Sequence, residues 1–243
     1  MRPVVLLALA LLLPGLRPAA ADSFTPAQRD EVVRIVRDAL KADPSILRDA
    51  LTTLQADEES RHAKATGDAI ARLGKQLADP ADAVEGNPLG DVTMIEFYDT
   101  RCPYCRRMLP VMAELLRAEP NLKLVMKDLP ILGPASQLES RALLAAQRQG
   151  GYFKLRDAVM RSGGTPTRDT IREMADQAGL DGGKVLRDMD DPAINSRLGR
   201  NIALAQQMGV QGTPAIVVGR RMIAGAADLD ELRHAIAEAR QRN

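Results

Sequence analysis

Two cysteines three positions apart, Cys102 and Cys105, enclose Pro103 and Tyr104, and they are the only cysteines in the chain. Such a pair can be half of a zinc site, a structural staple or a redox couple. Zinc takes four ligands, and the chain's two histidines, His62 and His234, lie far from the thiols in sequence. Each reads as an ordinary residue on a solvated helix face. A staple closing so short a loop would constrain the unfolded chain little, because the entropic gain grows with loop length. A redox pair fits better if the first thiol opens a helix. There, unpaired N–H groups and the positive end of the dipole favour a thiolate.

The flanking residues supply that setting. Val92–Tyr98 is a mostly apolar run with aromatics at its end, the pattern of a strand, and a helix-like run follows the cysteines. Pro110 is expected to kink that helix. Leu122–Lys127 reads as a second strand, and Leu129–Pro134 breaks the chain. From about 137 to 189 the pattern is helical, punctuated by Gly163-Gly164, Gly179 and Gly182-Gly183. Asp191-Pro192 then opens a helix ending at Gly209. Pro214–Val218 and Met222–Ala224 read as two antiparallel strands, and Asp228–Arg240 as a closing helix. The order predicts an α/β layered domain with a helical insertion at about 135–190.

Residues 25 to about 78 read as helices alone. Thr25-Pro26 and Asp43-Pro44 are start signals, and Val32, Val33, Ile35, Val36 and Leu40 make a stripe at helical spacing. Ile46, Leu47, Leu51 and Leu54 make a second. Such thin stripes on a long arm could pack on the chain's own domain or on copies of the arm; self-association is the preferred expectation.

Arg2, the apolar run Val4–Leu13 and Ala19-Ala20-Ala21 have the form of a secretory leader, with cleavage expected after Ala21. The apolar run falls short of the roughly 20 residues needed to span a bilayer. The whole chain holds 33 basic and 32 acidic side chains. Loss of Arg2 and Arg17 with the leader leaves 31 against 32, which argues against a nucleic-acid partner or an anionic-membrane surface. With no Trp, three Tyr and three Phe, the core must be mostly aliphatic.

Three separated segments resemble the DsbA-like thioredoxin-fold proteins: Ile95–Asp99 leading into Cys102-Pro103-Tyr104-Cys105, Lys127–Gly133, and Gly209–Ala215. The helical arm makes the ScsC-type subgroup the best likeness. The resemblance implies an α/β thioredoxin fold with a helical insertion, preceded by an N-terminal helical arm. It divides the chain into a leader at 1–21, an oligomerisation arm at 22–80 and a DsbA-like domain at 81–243.

It also implies roles. Cys102 would be the exposed nucleophile and Cys105 the buried resolving thiol. Thr213-Pro214 would be a cis-proline loop facing the disulfide and, with Pro103 and Tyr104, would meet substrate. Glu96 would be a buried acid that assists proton movement from Cys105, and Lys127, on the neighbouring strand, would pair with it. Pro-Tyr between the thiols, in place of the Pro-His of strongly oxidising DsbA proteins, implies a milder oxidant.

The expected activity is formation or isomerisation of disulfides in exported, periplasmic proteins, without a cofactor or metal. The expected partners are unfolded or misoxidised proteins and a membrane redox protein of DsbB or DsbD type. Two other readings stay open: a chaperone-like binding protein with a vestigial disulfide, and a reductase for one dedicated partner.

Overall fold

The computed structural model describes residues 24–242; the leader reading of residues 1–21 lies outside the described residues. The described chain divides into two compact units, with the break after Asp57. The first contains α1 (Pro26–Ala42) and the beginning of α2 (Ser45–Leu73). Thr25 caps α1 through a reciprocal capping box with Gln28, and Pro26 sits in the first turn. No residue of α1 is buried. The apolar side chains of both stripes, from Val32 to Leu54, are exposed.

In the second unit α2 ends at Leu73 and a 3₁₀ turn follows. A five-stranded sheet has the order β1-β3-β2-β4-β5. Its strands are β1 (Ala83–Gly86), β2 (Val92–Tyr98), β3 (Leu122–Asp128), β4 (Ala215–Val218) and β5 (Arg221–Ala224). β2 and β3 are parallel, joined by α3 (Pro103–Ala118); the other pairings are antiparallel. Between β3 and β4 lie four helices of the insertion, α4 (Pro134–Gln147), α5 (Tyr152–Arg161), α6 (Arg168–Gln177) and α7 (Gly182–Asp188), and then α8 (Pro192–Gln207). α9 (Leu229–Arg242) closes the described chain.

The central strands are covered on both sides, so their alternation sorts residues between two cores rather than between core and water. Val92, Met94, Tyr98, Leu122, Leu124, Met126, Ile216 and Val218 join one core. There they meet Met108, Met112 and Leu115 of α3, Leu232 and Ile236 of α9, and Leu143, Leu155 and Val159 of the insertion. Ile95, Phe97, Val125, Ala215 and Val217 face the other way. Their partners are Ile70, Leu73 and Leu77 from the end of α2 onward, and Leu204, Ala205 and Met208 at the end of α8. Each fully buried aliphatic side chain contributes roughly 1.5–3 kcal/mol. The end of α2 is therefore part of the second unit's core, although the sequence pattern groups it with the arm.

Pro110 lies inside α3, which runs unbroken to Ala118. Its ring removes a single N–H, and packing of Met108, Met112 and Leu115 on the first core holds the helix on either side.

Candidate active site

β2 ends at Tyr98, and three residues turn the chain into α3. Asp99 shapes that turn. Its Oδ1 accepts the Arg101 N–H at 2.8 Å, and its Oδ2 accepts the N–H groups of Ile131 and Leu132 at 2.9 and 3.0 Å. Its carbonyl accepts the Cys102 N–H at 3.0 Å. One fully buried side chain thus joins the loop before the thiols to the loop after β3. The insertion adds a second tie. Thr100 Oγ1 donates to Glu139 Oε2 at 2.7 Å, and Arg101 reaches both Glu139 Oε1 and the Gly164 carbonyl.

Cys102 is the N-cap of α3, with extended backbone, and Pro103 occupies the first helical turn, where a missing N–H costs nothing. Neither cysteine is in a disulfide. The Cys102 thiol donates to the Thr213 carbonyl at 3.1 Å across 111 residues of chain. The Thr213–Pro214 peptide is cis. The Pro214 carbonyl accepts the Gly225 N–H at 2.8 Å, anchoring this loop to the segment after β5. Cys102 was expected to be exposed; it is 4% exposed, against 1% for Cys105, because the Thr213 backbone covers it. Tyr104 is half exposed, with the Arg107 guanidinium 4.4 Å from its ring centre.

Below the thiols lies Glu96, in mid-strand on β2 and buried. No hydrogen bond reaches its carboxylate from any described residue. Burial pushes its pKa up to about 7; the Arg156 charge opposes that rise and Glu85 adds to it. The Cys105 thiol is also pushed well above its ordinary range, first by burial. Backbone donation near Asp99 works against this, and the negative field of Glu96 adds to it.

On the same sheet face, opposite Tyr98, a second acid is buried. Asp128, the last residue of β3, accepts Tyr152 Oη at 2.8 Å and Tyr98 Oη at 3.2 Å, and the two phenols are 2.7 Å apart. Burial raises Asp128 to about 7, against the pull of those hydrogen bonds and of Arg197.

The expected pairing of Glu96 with Lys127 does not form. In the parallel register Glu96 lies opposite Met126 and Phe97 opposite Lys127, so Lys127 projects to the face away from Glu96 and the thiols. There its Nζ is 2.5 Å from Asp82 Oδ2, both side chains 2% exposed, and Arg197 is 3.1 Å from Asp82 Oδ1. Of the remaining sequence-identified residues, Cys102, Cys105, Pro103, Tyr104, Thr213 and Pro214 gather at one end of the sheet, and Glu96 lies within β2.

Sequence reasoning gave no role to Asp99, Glu139, Asp128 or Arg156. Asp99 carried a usable signal: an Asp just after a strand, bonded to the N–H two residues on, makes an Asx turn. Glu139 and Arg156 sit on amphipathic helices, where a charged residue that turns inward looks like any other on the polar face. Among the described residues no group of three His, Cys, Asp or Glu side chains could hold a metal, and no helix is long and apolar enough to cross a membrane.

A vicinal cysteine pair opening the crossover helix between parallel strands, with a cis Thr–Pro loop laid over it, defines a thiol–disulfide oxidoreductase-like thioredoxin fold. The chain belongs to the DSBA-like thioredoxin domain family, which matches residues 93–237. Residues 28–60 match the copper resistance protein ScsC N-terminal domain. A thioredoxin-like oxidoreductase from Silicibacter pomeroyi DSS-3 is 38% identical, with a TM-score of 0.67, over 69% of this chain and 98% of that one. Proteus mirabilis ScsC in a transitional conformation is 26% identical, with a TM-score of 0.66, over 90% of this chain and 100% of that one. Among curated proteins, the Na(+)/H(+) antiporter NhaA 1 of Salinispora arenicola is 28% identical over 160 residues, 65% of this chain. The match spans only 24% of that relative's length.

Proposed function

We propose that this protein is an exported, periplasmic thiol–disulfide oxidoreductase that forms or isomerises disulfides in other exported proteins. The observation that carries the reading is the Cys102 thiol, at the start of α3 and 3.1 Å from the Thr213 carbonyl, with Cys105 buried beside it.

In oxidation a substrate thiolate attacks Cys102 Sγ of the Cys102–Cys105 disulfide. That S–S bond breaks, a mixed disulfide forms on Cys102, and Cys105 departs with the electron pair. Its high proton affinity draws a proton, which Glu96 would give. A second substrate thiolate then attacks the substrate sulfur, expelling Cys102 and leaving an oxidised substrate and an enzyme dithiol. A membrane redox protein of DsbB type would restore the disulfide.

In isomerisation the dithiol is the resting state, kept reduced by a partner of DsbD type. Cys102 attacks a wrong disulfide and is expelled when the right one forms. If the complex stalls, Cys105 passes its proton to Glu96 and attacks Cys102, releasing the substrate reduced. A carboxyl titrating near 7 serves both directions at neutral pH. Thr213, Pro214, Pro103 and Tyr104 would line the approach of an extended substrate.

Isomerisation ranks above simple oxidation because facing active sites in an oligomer would shield the dithiol. The exposed apolar stripes of the arm and its match to the ScsC N-terminal domain support self-association. Replacing Cys102 with Ser should remove refolding activity on a scrambled-disulfide substrate, by on the order of 10³-fold or more. Cys105→Ser should accumulate the mixed disulfide. Undiminished refolding by the Cys102→Ser variant would point instead to a chaperone-like binding protein. Solution mass, with and without residues 24–57, tests the arm. A monomer in both cases would reject self-association and favour an oxidase.

A further inference from the structure

The sheet face that carries Glu96 also carries Glu85 of β1, Tyr98 of β2 and Asp128 of β3, by the alternation and register of the strands. α3 brings Cys105 to that face, and α5 of the insertion brings Tyr152 and Arg156. β4 contributes Ile216, and α9 contributes Leu232, Ala235 and Ile236, all apolar.

Arg156 is unusual in this company. Its side chain is 8% exposed, 2.8 Å from Glu85 Oε2 and 2.9 Å from Asp157 Oδ1, with the guanidinium 4.8 Å from the Phe153 ring centre. Those contacts fix a cation that cannot lose its charge at any working pH. Glu85 is 31% exposed and Asp157 36%, so neither acid needs an arginine for its own sake. Glu96 differs: it is only 4% exposed, and no side chain or backbone group among the described residues donates a hydrogen bond to it. An enclosed carboxylate can be kept ionised only by hydrogen bonds or by a nearby opposite charge.

We propose that Arg156 is a positioning residue for the thiol chemistry: Glu85 and Asp157 clamp it on the Glu96 face of the sheet, where its charge offsets part of the burial that would otherwise keep the Glu96 carboxyl protonated. The insertion then does more than cover the domain, because its second helix sets the pH at which Cys105 can give up its proton. This inference rests on Glu96 being the group that exchanges a proton with Cys105. The electrostatics agree in sign: Arg156 lowers the proton affinity of Glu96, and Glu85, the acid that clamps it, raises it.

The test is the pH profile of mixed-disulfide resolution by Cys105, measured in a single turnover on the full chain. Arg156→Met should move the midpoint of the rise to higher pH, and Arg156→Lys should bring it most of the way back. With a wild-type midpoint near neutrality, an upward shift of one unit makes resolution about fivefold slower at pH 7. Glu85→Gln keeps an acceptor for Arg156 but removes the negative charge, so its midpoint should move to lower pH. That opposite sign is not what a merely structural pair would give, and this variant stands in should Arg156→Met fail to fold.

In the Glu96→Gln background the Arg156 and Glu85 changes should leave the profile still. An unmoved midpoint in both Arg156→Met and Glu85→Gln, with the profile still dependent on Glu96, overturns the role of Arg156 alone. A profile unchanged by Glu96→Gln itself overturns the proton-exchange reading on which the proposal stands.

Discussion

Both faces of the central sheet bury charge, and one acid on each, Asp82 and Glu96, does so in the opposite way. On one, Lys127 and Arg197 share Asp82, and every charge has a partner within 3.1 Å. On the other, Glu96 is enclosed with no hydrogen bond from a described residue, near a thiol that is itself raised by burial. A paired buried charge is a structural element whose loss is costly. An unpaired one is a standing destabilisation, retained only if something depends on its titration. The two arrangements are one residue apart in β3, since Met126 faces the Glu96 side and Lys127 the Asp82 side.

Mutations on the two faces should therefore have opposite signs. The largest stability effect is expected from Asp82→Asn, which leaves Lys127 and Arg197 without their counter-charge; a loss of about 3–5 kcal/mol should show in denaturant unfolding. Thiol exchange by the folded fraction should be little changed. A loss below about 1 kcal/mol would mean that the Asp82 side is not the paired face described.

Glu96→Gln should do the reverse. The folded-state pKa of Glu96, about 7, lies above its ordinary value of 4.5, so protonation favours the native state. That stabilisation is complete below about pH 4.5 and is lost as pH rises through about 7. Roughly 3 kcal/mol of pH-dependent stability is at stake. The glutamine variant should escape that loss and be the more stable protein at pH 8, while resolving mixed disulfides more slowly. Equal stability of the two proteins across this pH range would show that Glu96 is better solvated than its burial implies.

The smallest expected change comes from Asp99→Ala, at the rim between the faces. It removes the acceptor of the Arg101 N–H before the thiols and of the Ile131 and Leu132 N–H groups after β3, a cost of about 1–2 kcal/mol. Faster amide exchange should be confined to those two loops; exchange spread over β2 and β3 would argue that Asp99 supports the whole sheet.

The sequence made the thioredoxin-like order legible because each element there carries a local signal. The apolar run of β2, the cysteine spacing, the Gly-Thr-Pro segment and the paired caps of the arm can each be read within a few residues. The same run marked Glu96 as a polar residue on a buried strand. Register could not be read this way. Whether Glu96 meets Met126 or Lys127 depends on how two strands slide against each other, and both alignments are compatible with the composition of β3. Thr213 covering Cys102 depends on a contact across 111 residues. Arg156 was hidden for a related reason: α5 is amphipathic, and nothing local distinguishes an arginine folded inward onto Glu85 from one left in water.

Asp99 has an entropic consequence for the surface above it. Ile131 and Leu132 expose large apolar side chains, 46% and 52%, on a loop that would ordinarily sample many conformations. Because one carboxylate holds both of their N–H groups, that backbone is already ordered before anything touches it. Fixing a residue costs about 1–2 kcal/mol of chain entropy. Here that cost was met when the domain folded, so a polypeptide settling on these two side chains would spend its own disorder and none of the protein's.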